Sequence, residues 1–477
     1  MIERRHRQRN LFETVIGSVE QLIEGLVEPP LRRLDEILAD EALVDAVMEE
    51  LAGRYPHSRS RGRPGTPGEV VLRMLVLKRI KHWSFEETEH EVRQSLVYRH
   101  LARVYFERVP DAKTLIRLSA VVGADAIEAI HCRLVEMARA QGLIKGRYAR
   151  VDTTVVETNI RYPTDSRLLQ DGVSVLTRAF KRIELATGVV GGKLRDRMRA
   201  TTHRVLEIAR AARSRAGHGR ERLEQGYRRL LATVRSTVRD AERVCAELSS
   251  AARVAMSQHS SRAVTSSQAQ LEHFIPLVSR VMAQTRARIY QNNTHYPDKL
   301  FSLFEPHTEA IRKGKASKPT EFGKLLRVQE AEHQIVIDYE VYEQRPEDQS
   351  LVVPTVEAHV RALGRAPQLL AADRGFWSAA NKRAAKEKGV KRVCIPALGR
   401  LKPEQAAEQR QRWFRRGQRW RVGCEGRISV LKRRDGLARC RYRGMDGMKR
   451  WVGWGVVSNN LWVLMKSMPP AVHGDTS

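Results

Sequence analysis

Residues 418–432, QRWRVGCEGRISVLK, constrain this chain most, because they place one acidic residue, Glu425, in an otherwise basic segment. If residues 422–435 form a helix, a turn of about 100° per residue sets Arg421, Glu425 and Lys432 within a stripe about 40° wide. A neighbouring apolar stripe would dock this helix on a core, and it consists of Cys424, Ile428 and Leu431. The carboxylate is then either a member of a solvated ion-pair ladder or a positioned functional group.

The spacing of these three charged residues resembles a family signature. Arg421, Glu425 and Lys432 match the last three positions of Y-x2-R-x3-E-x6-K, which is found in bacterial insertion-sequence transposases, while Gln418 occupies the tyrosine position. The resemblance implies an RNase H-like catalytic domain in which an Asp, Asp, Glu triad binds divalent metal. We therefore expect two aspartates at strand ends upstream.

The first candidate is Asp152. Residues 148–156, YARVDTTVV, are rich in β-branched side chains and predict a strand. Aspartate is disfavoured inside strands, so this position suggests a specific role, although a strand-end aspartate is the alternative. Glu157 and Asp165 compete for the role, but Asp165 precedes a helical run, where it is typical of a helix cap. The phrase VDTTVVETNIRYPTDSRLL also resembles the first-aspartate region of these transposases.

The second candidate is Asp373, which ends the apolar run LLAAD before a glycine turn. Such a run predicts a buried strand that delivers a carboxylate to the carboxyl edge of a sheet. The alternative is an ordinary cap of the next helix.

The resemblance assigns roles to these residues. It implies that Asp152, Asp373 and Glu425 are catalytic and bind two Mg²⁺ ions, with Mn²⁺ as a substitute. Arg421 and Lys432 would orient DNA phosphates beside the metals. We also predict DNA contacts at Arg374 and at Lys315 and Lys318, which lie in a basic loop that is otherwise a solvated connection.

Charge points to a polyanionic partner. Lys and Arg number 85 against 55 for Asp and Glu, which gives a net charge of +30 and a pI near 10.5. Nucleic acid fits this balance better than a membrane surface, because the basic residues are spread through all regions and no basic amphipathic segment adjoins a long apolar run. No run reaches the roughly 18 apolar residues of a spanning helix. The basic N-terminus leads into Glu13 and Glu20 rather than a signal core. We therefore expect a cytoplasmic, nucleoid-associated bacterial protein without a membrane partner.

The five cysteines are an odd number with no CxxC pair, which disfavours a zinc site and predicts reduced thiols in the core.

The pattern along the chain predicts several segments. N-terminal helices occupy 1–56, a basic linker 57–66, and a helical domain 67–145 that is either a helix-turn-helix reader of DNA or a packing module. A capping box is predicted at Thr66 and another at Ser84. The catalytic domain comprises 146–165 plus 293–468, and a loose tail follows at 469–477.

A helical insertion at 166–292 interrupts the catalytic domain. It is expected to hold two long antiparallel helices joined by a polar turn at 257–267. Its arginines form either a solvated face or a grip on a DNA backbone.

The expected element order is a strand with Asp152, the insertion, three strands, a helix, a strand with Asp373, a helix, a strand and the helix with Glu425. The three middle strands are predicted at 300–304, 322–329 and 335–341, with the last two as a hairpin. This order is RNase H-like. The predicted fold class is α/β, a mixed sheet flanked by helices and preceded by an all-α N-terminal domain.

By resemblance, the chain is expected to bind the terminal inverted repeats of a mobile element, cleave DNA and join the freed 3′-hydroxyl to target DNA. A homodimer or a higher synaptic complex on DNA is expected. The alternatives are a catalytically inactive DNA-binding protein derived from a transposase, and an RNase H-like nuclease.

Overall fold

A computed structural model describes residues 25–54, 65–187, 195–213, 218–250, 258–312 and 319–467, with residues 3, 23 and 57. The chain divides into two compact units, Met1–Asn159 with Gly323–Ser477, and Ile160–Phe322. Most of the predicted linker, the predicted tail, Lys315 and Lys318 lie outside the described residues.

The segment before the first strand is helical where it is described. Ser84 and Glu87 form the predicted reciprocal capping box, and Asp111 caps a later helix. The capping box predicted at Thr66 is wrong, because the helix that starts at Gly68 has Pro67 at its N-cap and no side-chain cap. The helices are α1 (Pro29–Leu38), α2 (Glu41–Gly53), α3 (Gly68–Lys81), α4 (Phe85–Gln94), α5 (Leu96–Leu101), α6 (Ala112–Val121) and α7 (Ala124–Ala140).

A mixed sheet lies at the centre of the first unit. There β1 pairs parallel with β5 and antiparallel with β3, β6 pairs parallel with β5, and β4 pairs antiparallel with β3. The predicted hairpin is confirmed in β3 and β4. The strand predicted at 300–304 is wrong, since a strand forms at 309–312 instead. The strands are β1 (Tyr148–Glu157), β2 (Glu309–Arg312), β3 (Thr320–Glu330), β4 (Val336–Val341), β5 (Leu369–Ala371) and β6 (Arg392–Cys394).

The remaining helices are α8 (Asp165–Thr187), α9 (Met198–Arg213), α10 (Gly219–Ser250), α11 (Gln258–Tyr290), α12 (Val352–Leu363), α13 (Ala379–Glu387), α14 (Pro403–Arg410), α15 (Arg412–Arg433) and α16 (Gly444–Ser467). The helix with Glu425, α15, begins ten residues before the predicted start at 422. Its early start gives the Glu425 helix a long stretch that packs on the sheet.

The N-terminal helices and the closing helix α16 share one hydrophobic core. Leu72 and Met74 of α3, Ile127 of α7 and Trp454 and Leu461 of α16 belong to the same buried cluster. Both α3 and α16 are buried over nearly their whole length, including the charged residues Glu69, Arg73 and Arg79 of α3. The predicted 67–145 segment therefore lies in the same unit as β1.

The second unit has a separate helical core. The long helices α10 and α11 pack with α8 and α9 around residues such as Leu169, Leu230 and Val278. The polar turn predicted at 257–267 is wrong, because residues 258–267 form the first part of α11. Asp165 is buried. Its Oδ1 accepts a hydrogen bond from Gln284 at 3.1 Å, and its Oδ2 forms an ion pair with Arg288 at 2.6 Å. Its surroundings are those of a structural carboxylate.

Candidate active site

Asp152 and Asp373 follow the paired part of two parallel strands. The register of β1 and β5 pairs Tyr148 with Leu369 and Arg150 with Ala371, the last residue of β5. Each aspartate comes two residues after that last pair, Asp152 inside β1 and Asp373 in the turn that follows β5. Both side chains are half-buried. Two aspartates that are 221 positions apart in the sequence thus lie beyond the same end of the paired segment.

A third carboxylate at this edge, Asp348, has no place among the predicted site residues. Its Oδ1 accepts a hydrogen bond from the Thr153 hydroxyl at 3.4 Å. A Cβ at Gly375 would stand 3.1 Å from an Asp373 oxygen and 3.3 Å from an Asp348 oxygen, so both carboxylates flank this glycine. The sequence signal was weak, because an acidic residue at the start of a helical turn is usually read as a cap.

Helix α15 packs across β1, β5 and β6. Gly417 makes this possible at one end, because a Cβ there would stand 3.2 Å from the Cys394 Cβ on β6 and 3.4 Å from a Leu369 methyl on β5. The next residue, Gln418, donates to the carbonyl oxygens of Ala372 and Cys394 at 3.3 and 2.7 Å. The residue at the signature's tyrosine position therefore ties the helix to the strand ends beside Asp373.

Cys424 lies on the side of α15 that faces the protein core. It is fully buried, and burial raises the pKa of its thiol well above the usual value, with further contributions from the charges of Glu330 and Asp152. Glu425 is the next residue along the chain.

Glu425 is engaged by Arg421 in the structure. Arg421 Nη2 is 3.1 Å from Glu425 Oε1, and the two side chains are 15% and 60% exposed. The Arg421 Nε is buried without a hydrogen-bond partner. The predicted i,i+4 pair is present, and one face of the arginine still has an unused donor.

The other residues predicted to contact DNA differ in how exposed they are. Arg374 is exposed next to Asp373, Lys432 is half-buried, and Lys315 and Lys318 lie outside the described residues. The competing carboxylate Glu157 pairs with Arg439 at 3.4 Å.

The residue types at this edge suit a divalent metal, but their arrangement in the structure does not form a metal site. Carboxylate oxygens are the ligands that Mg²⁺ and Mn²⁺ prefer, and Asp373 and Asp348 both flank Gly375. Among the described residues, however, no group of three or more His, Cys, Asp or Glu side chains is arranged to hold a metal ion. Glu425 would have to leave Arg421 to complete such a group.

Comparison with protein families decides the assignment. A model described as Transposase domain (DUF772) matches residues 18–120, and one described as Transposase DDE domain matches residues 380–465. Both models are of transposase domains, the second of DDE type, and they support a DDE transposase of an insertion element. The second match includes Glu425 and α15 of this transposase, whereas Asp152 and Asp373 lie outside both matches.

No curated protein and no solved structure matches the transposase chain. In the part of the chain that the structure describes, no helix is long and apolar enough to cross a membrane.

Proposed function

We propose that this transposase cleaves and joins DNA with an RNase H-like catalytic domain. The strand order supports this domain type: β3, β1, β5 and β6 lie side by side, with β4 on β3. Such an order brings the ends of β1 and β5 together at one edge, where active sites of open α/β sheets form.

The observation that carries the proposal is that Asp152 and Asp373 each come two residues after the last β1–β5 pair, Arg150 and Ala371. It gives two carboxylates from distant parts of the chain one common edge, and α15 packs across the same strands. We propose that Asp152, Asp373 and Glu425 are the metal-binding triad. When bound, two Mg²⁺ ions, or Mn²⁺ in their place, would activate the attacking oxygen and stabilise charge on the leaving oxygen.

The cations around the edge would hold the DNA. The Arg421 guanidinium is partly exposed and pairs with Glu425 through Nη2, a nitrogen that could donate to a phosphate oxygen instead. Lys432, Arg374, Lys315 and Lys318 are proposed as further phosphate contacts. The net charge of +30 supports DNA as the partner, both as element ends and as target. A homodimer or higher synaptic complex, associated with the nucleoid, would bring two ends together.

A second candidate function is supported by the Arg421–Glu425 ion pair. In a catalytically inactive DNA-binding derivative, Glu425 would stay paired with Arg421 and would bind no metal. A plain RNase H-like nuclease differs from a transposase in the last step, because it would not join the freed 3′-hydroxyl to target DNA.

The test is metal-dependent processing of a duplex that carries the ends of the encoding element. We expect Mg²⁺-dependent cleavage and strand transfer by the wild type. Asp152→Ala, Asp373→Ala and Glu425→Ala should each abolish both while leaving end binding in metal-free buffer largely intact, because each removes a ligand and one negative charge near the phosphates.

Asp338→Ala is the matched control. Asp338 is a half-buried sheet aspartate that pairs with Arg327 at 2.7 Å, away from the β1 and β5 edge. This variant should cleave like the wild type once corrected for folding. Binding without cleavage by the wild type would favour the inactive derivative, and cleavage without strand transfer would favour the nuclease.

A further inference from the structure

A buried arginine connects the strand of the first aspartate to the helix of the glutamate. Arg150 lies on β1, two residues before Asp152, and its side chain is 8% exposed. Its Nε and Nη2 donate to the two oxygens of Glu330 at 2.9 and 2.5 Å. Glu330 is its direct partner across β1 and β3. The planar fork of the guanidinium is thereby fixed in one orientation.

The third nitrogen of this fork reaches α15. Arg150 Nη1 donates to the carbonyl oxygen of Trp420 at 2.5 Å, and the guanidinium carbon lies 4.8 Å from the centre of the Trp420 ring. Trp420 is five residues before Glu425 on the same helix. The contact therefore fixes both the height and the rotation of the helix over β1.

Gly423 allows this approach. A Cβ at this position would meet the Arg150 guanidinium, with Cζ only 3.0 Å away. A glycine costs about 1 kcal/mol in a helix interior, so its presence here has a packing reason. Every other residue type would lift the helix from β1 or displace the arginine.

The helix is also held on the far side of Glu425. Arg427 lies in a buried position, its Nη1 donates to Asn459 at 2.8 Å, and its Nε is 3.9 Å from Glu330 Oε1. One buried carboxylate, Glu330, thus faces a cation from β1 and a cation from α15. A fold-only role explains this poorly, because apolar residues of similar volume usually replace a buried ion pair without loss of stability.

We propose that Arg150, braced by Glu330 and given room by Gly423, is the positioning residue that sets Glu425 relative to Asp152. The inference rests on the proposed function, in which these two carboxylates act at one site. Arg150 itself does not touch DNA or metal in this assignment. Its effect passes through the placement of α15.

The test compares Arg150→Lys and Gly423→Ala with Arg327→Lys in the full-length protein. Lysine keeps the charge but cannot bond Glu330 and the Trp420 carbonyl with one planar fork. Gly423→Ala keeps Arg150 and Glu330 unchanged in the sequence but fills the space that the guanidinium occupies. Arg327→Lys is the matched control, since Arg327 is a buried arginine of neighbouring β3 that pairs with Asp338 and Glu340 on β4.

Two measurements separate positioning from general stability. The first is Mn²⁺ affinity from electron paramagnetic resonance, which should weaken at least about tenfold in both test variants, as for other residues that orient metal ligands. The second needs no metal: the rate at which a thiol reagent modifies Cys424, followed by mass spectrometry. This rate should rise several-fold in the test variants, because Cys424 is fully buried between Gly423 and Glu425.

Arg327→Lys should lower the melting temperature while leaving Mn²⁺ affinity and Cys424 modification unchanged. Wild-type rates of Cys424 modification in both test variants would overturn the positioning role. So would wild-type Mn²⁺ affinity in both variants while Glu425→Ala weakens it. If Asp152→Ala leaves Mn²⁺ affinity of the wild type unchanged, the proposed metal site fails, and Cys424 modification alone then decides whether Arg150 sets the helix.

Discussion

Arg421 has two possible roles in the site, as a surface ion-pair partner of Glu425 or as a cation that binds DNA phosphate. The pair with Glu425 alone would be worth well under about 1 kcal/mol, as for exposed i,i+4 pairs. Yet the arginine is 15% exposed and its Nε is buried without a hydrogen-bond partner. A positioned cation with a free donor is better prepared for a phosphate than for a surface ion pair.

We expect Arg421→Ala to melt within a few degrees of the wild type and to lose most cleavage, because a desolvated cation stabilises charge that grows in the transition state. Arg421→Lys should recover end binding better than cleavage, since lysine lacks the planar fork. Thermal melting and cleavage at fixed salt measure both effects. Near-wild-type cleavage by Arg421→Ala would show that Arg421 is only an ion-pair partner of Glu425 on the helix surface.

At the scale of elements, one aspartate joins two N-terminal helices. Asp40 caps α2, where its carboxylate accepts from the Ala42 amide at 3.1 Å, and Arg133 of α7 donates to it from Nη2 at 2.8 Å. The hydrogen bond from Arg133 lowers the pKa of Asp40 below its ordinary 3.8. The charged form is therefore the one that stabilises the folded state.

Asp40→Ala should lower the free energy of unfolding by about 1–2 kcal/mol at pH 7, the usual size of a lost cap with a partly exposed ion pair. Because the folded pKa is lowered, this contribution is present above pH 3.8 and disappears as the pH falls through the folded pKa. Urea denaturation between pH 3 and pH 7 measures it. Asp40→Asn, which keeps a cap acceptor, should lose less, and an equal loss at both pH limits would contradict the argument.

At the scale of the whole first unit, the N-terminal helices and α16 are joined by a buried arginine. Arg79 of α3 donates to the Trp451 carbonyl at 3.0 Å and lies 4.1 Å from the Trp451 ring centre. Burial lowers the pKa of Arg79 to about 10. Gly455 leaves it room, because a Cβ there would stand 2.8 Å from its Nη2.

Gly455→Ala should therefore destabilise this unit by about 1–3 kcal/mol, the range for overpacked cores. Hydrogen exchange should accelerate in α3 as well as in α16, since both lie in one core. Gly426→Ala is the control, because its Cβ would meet nothing within 4 Å. It should leave stability unchanged or raise it. Unchanged exchange in α3 of Gly455→Ala would show that the helices unfold independently.

Most element types could be predicted from the sequence, among them the strand that carries Asp152, the strand that ends just before Asp373 and the helix that carries Glu425. These follow from local periodicity and from residue types that strands and caps tolerate, as with the Ser84 capping box. It failed where local signals were ambiguous: the polar residues 258–267 are helical because α11 packs against α10 and α8. Tertiary contact outweighs weak propensity at such positions.

Which residues lie near one another depends on the tertiary structure. The pairing of β1 with β5 brings Asp152 and Asp373 beyond the same end of the paired segment, and Asp373 and Asp348 both flank Gly375. Likewise, the sequence around Arg150, Gly423 and Gln418 does not predict their contacts. Each contact depends on how closely α15 approaches the sheet. Long-range packing sets these distances. A sequence pattern shows only which faces of a helix or strand are available for packing.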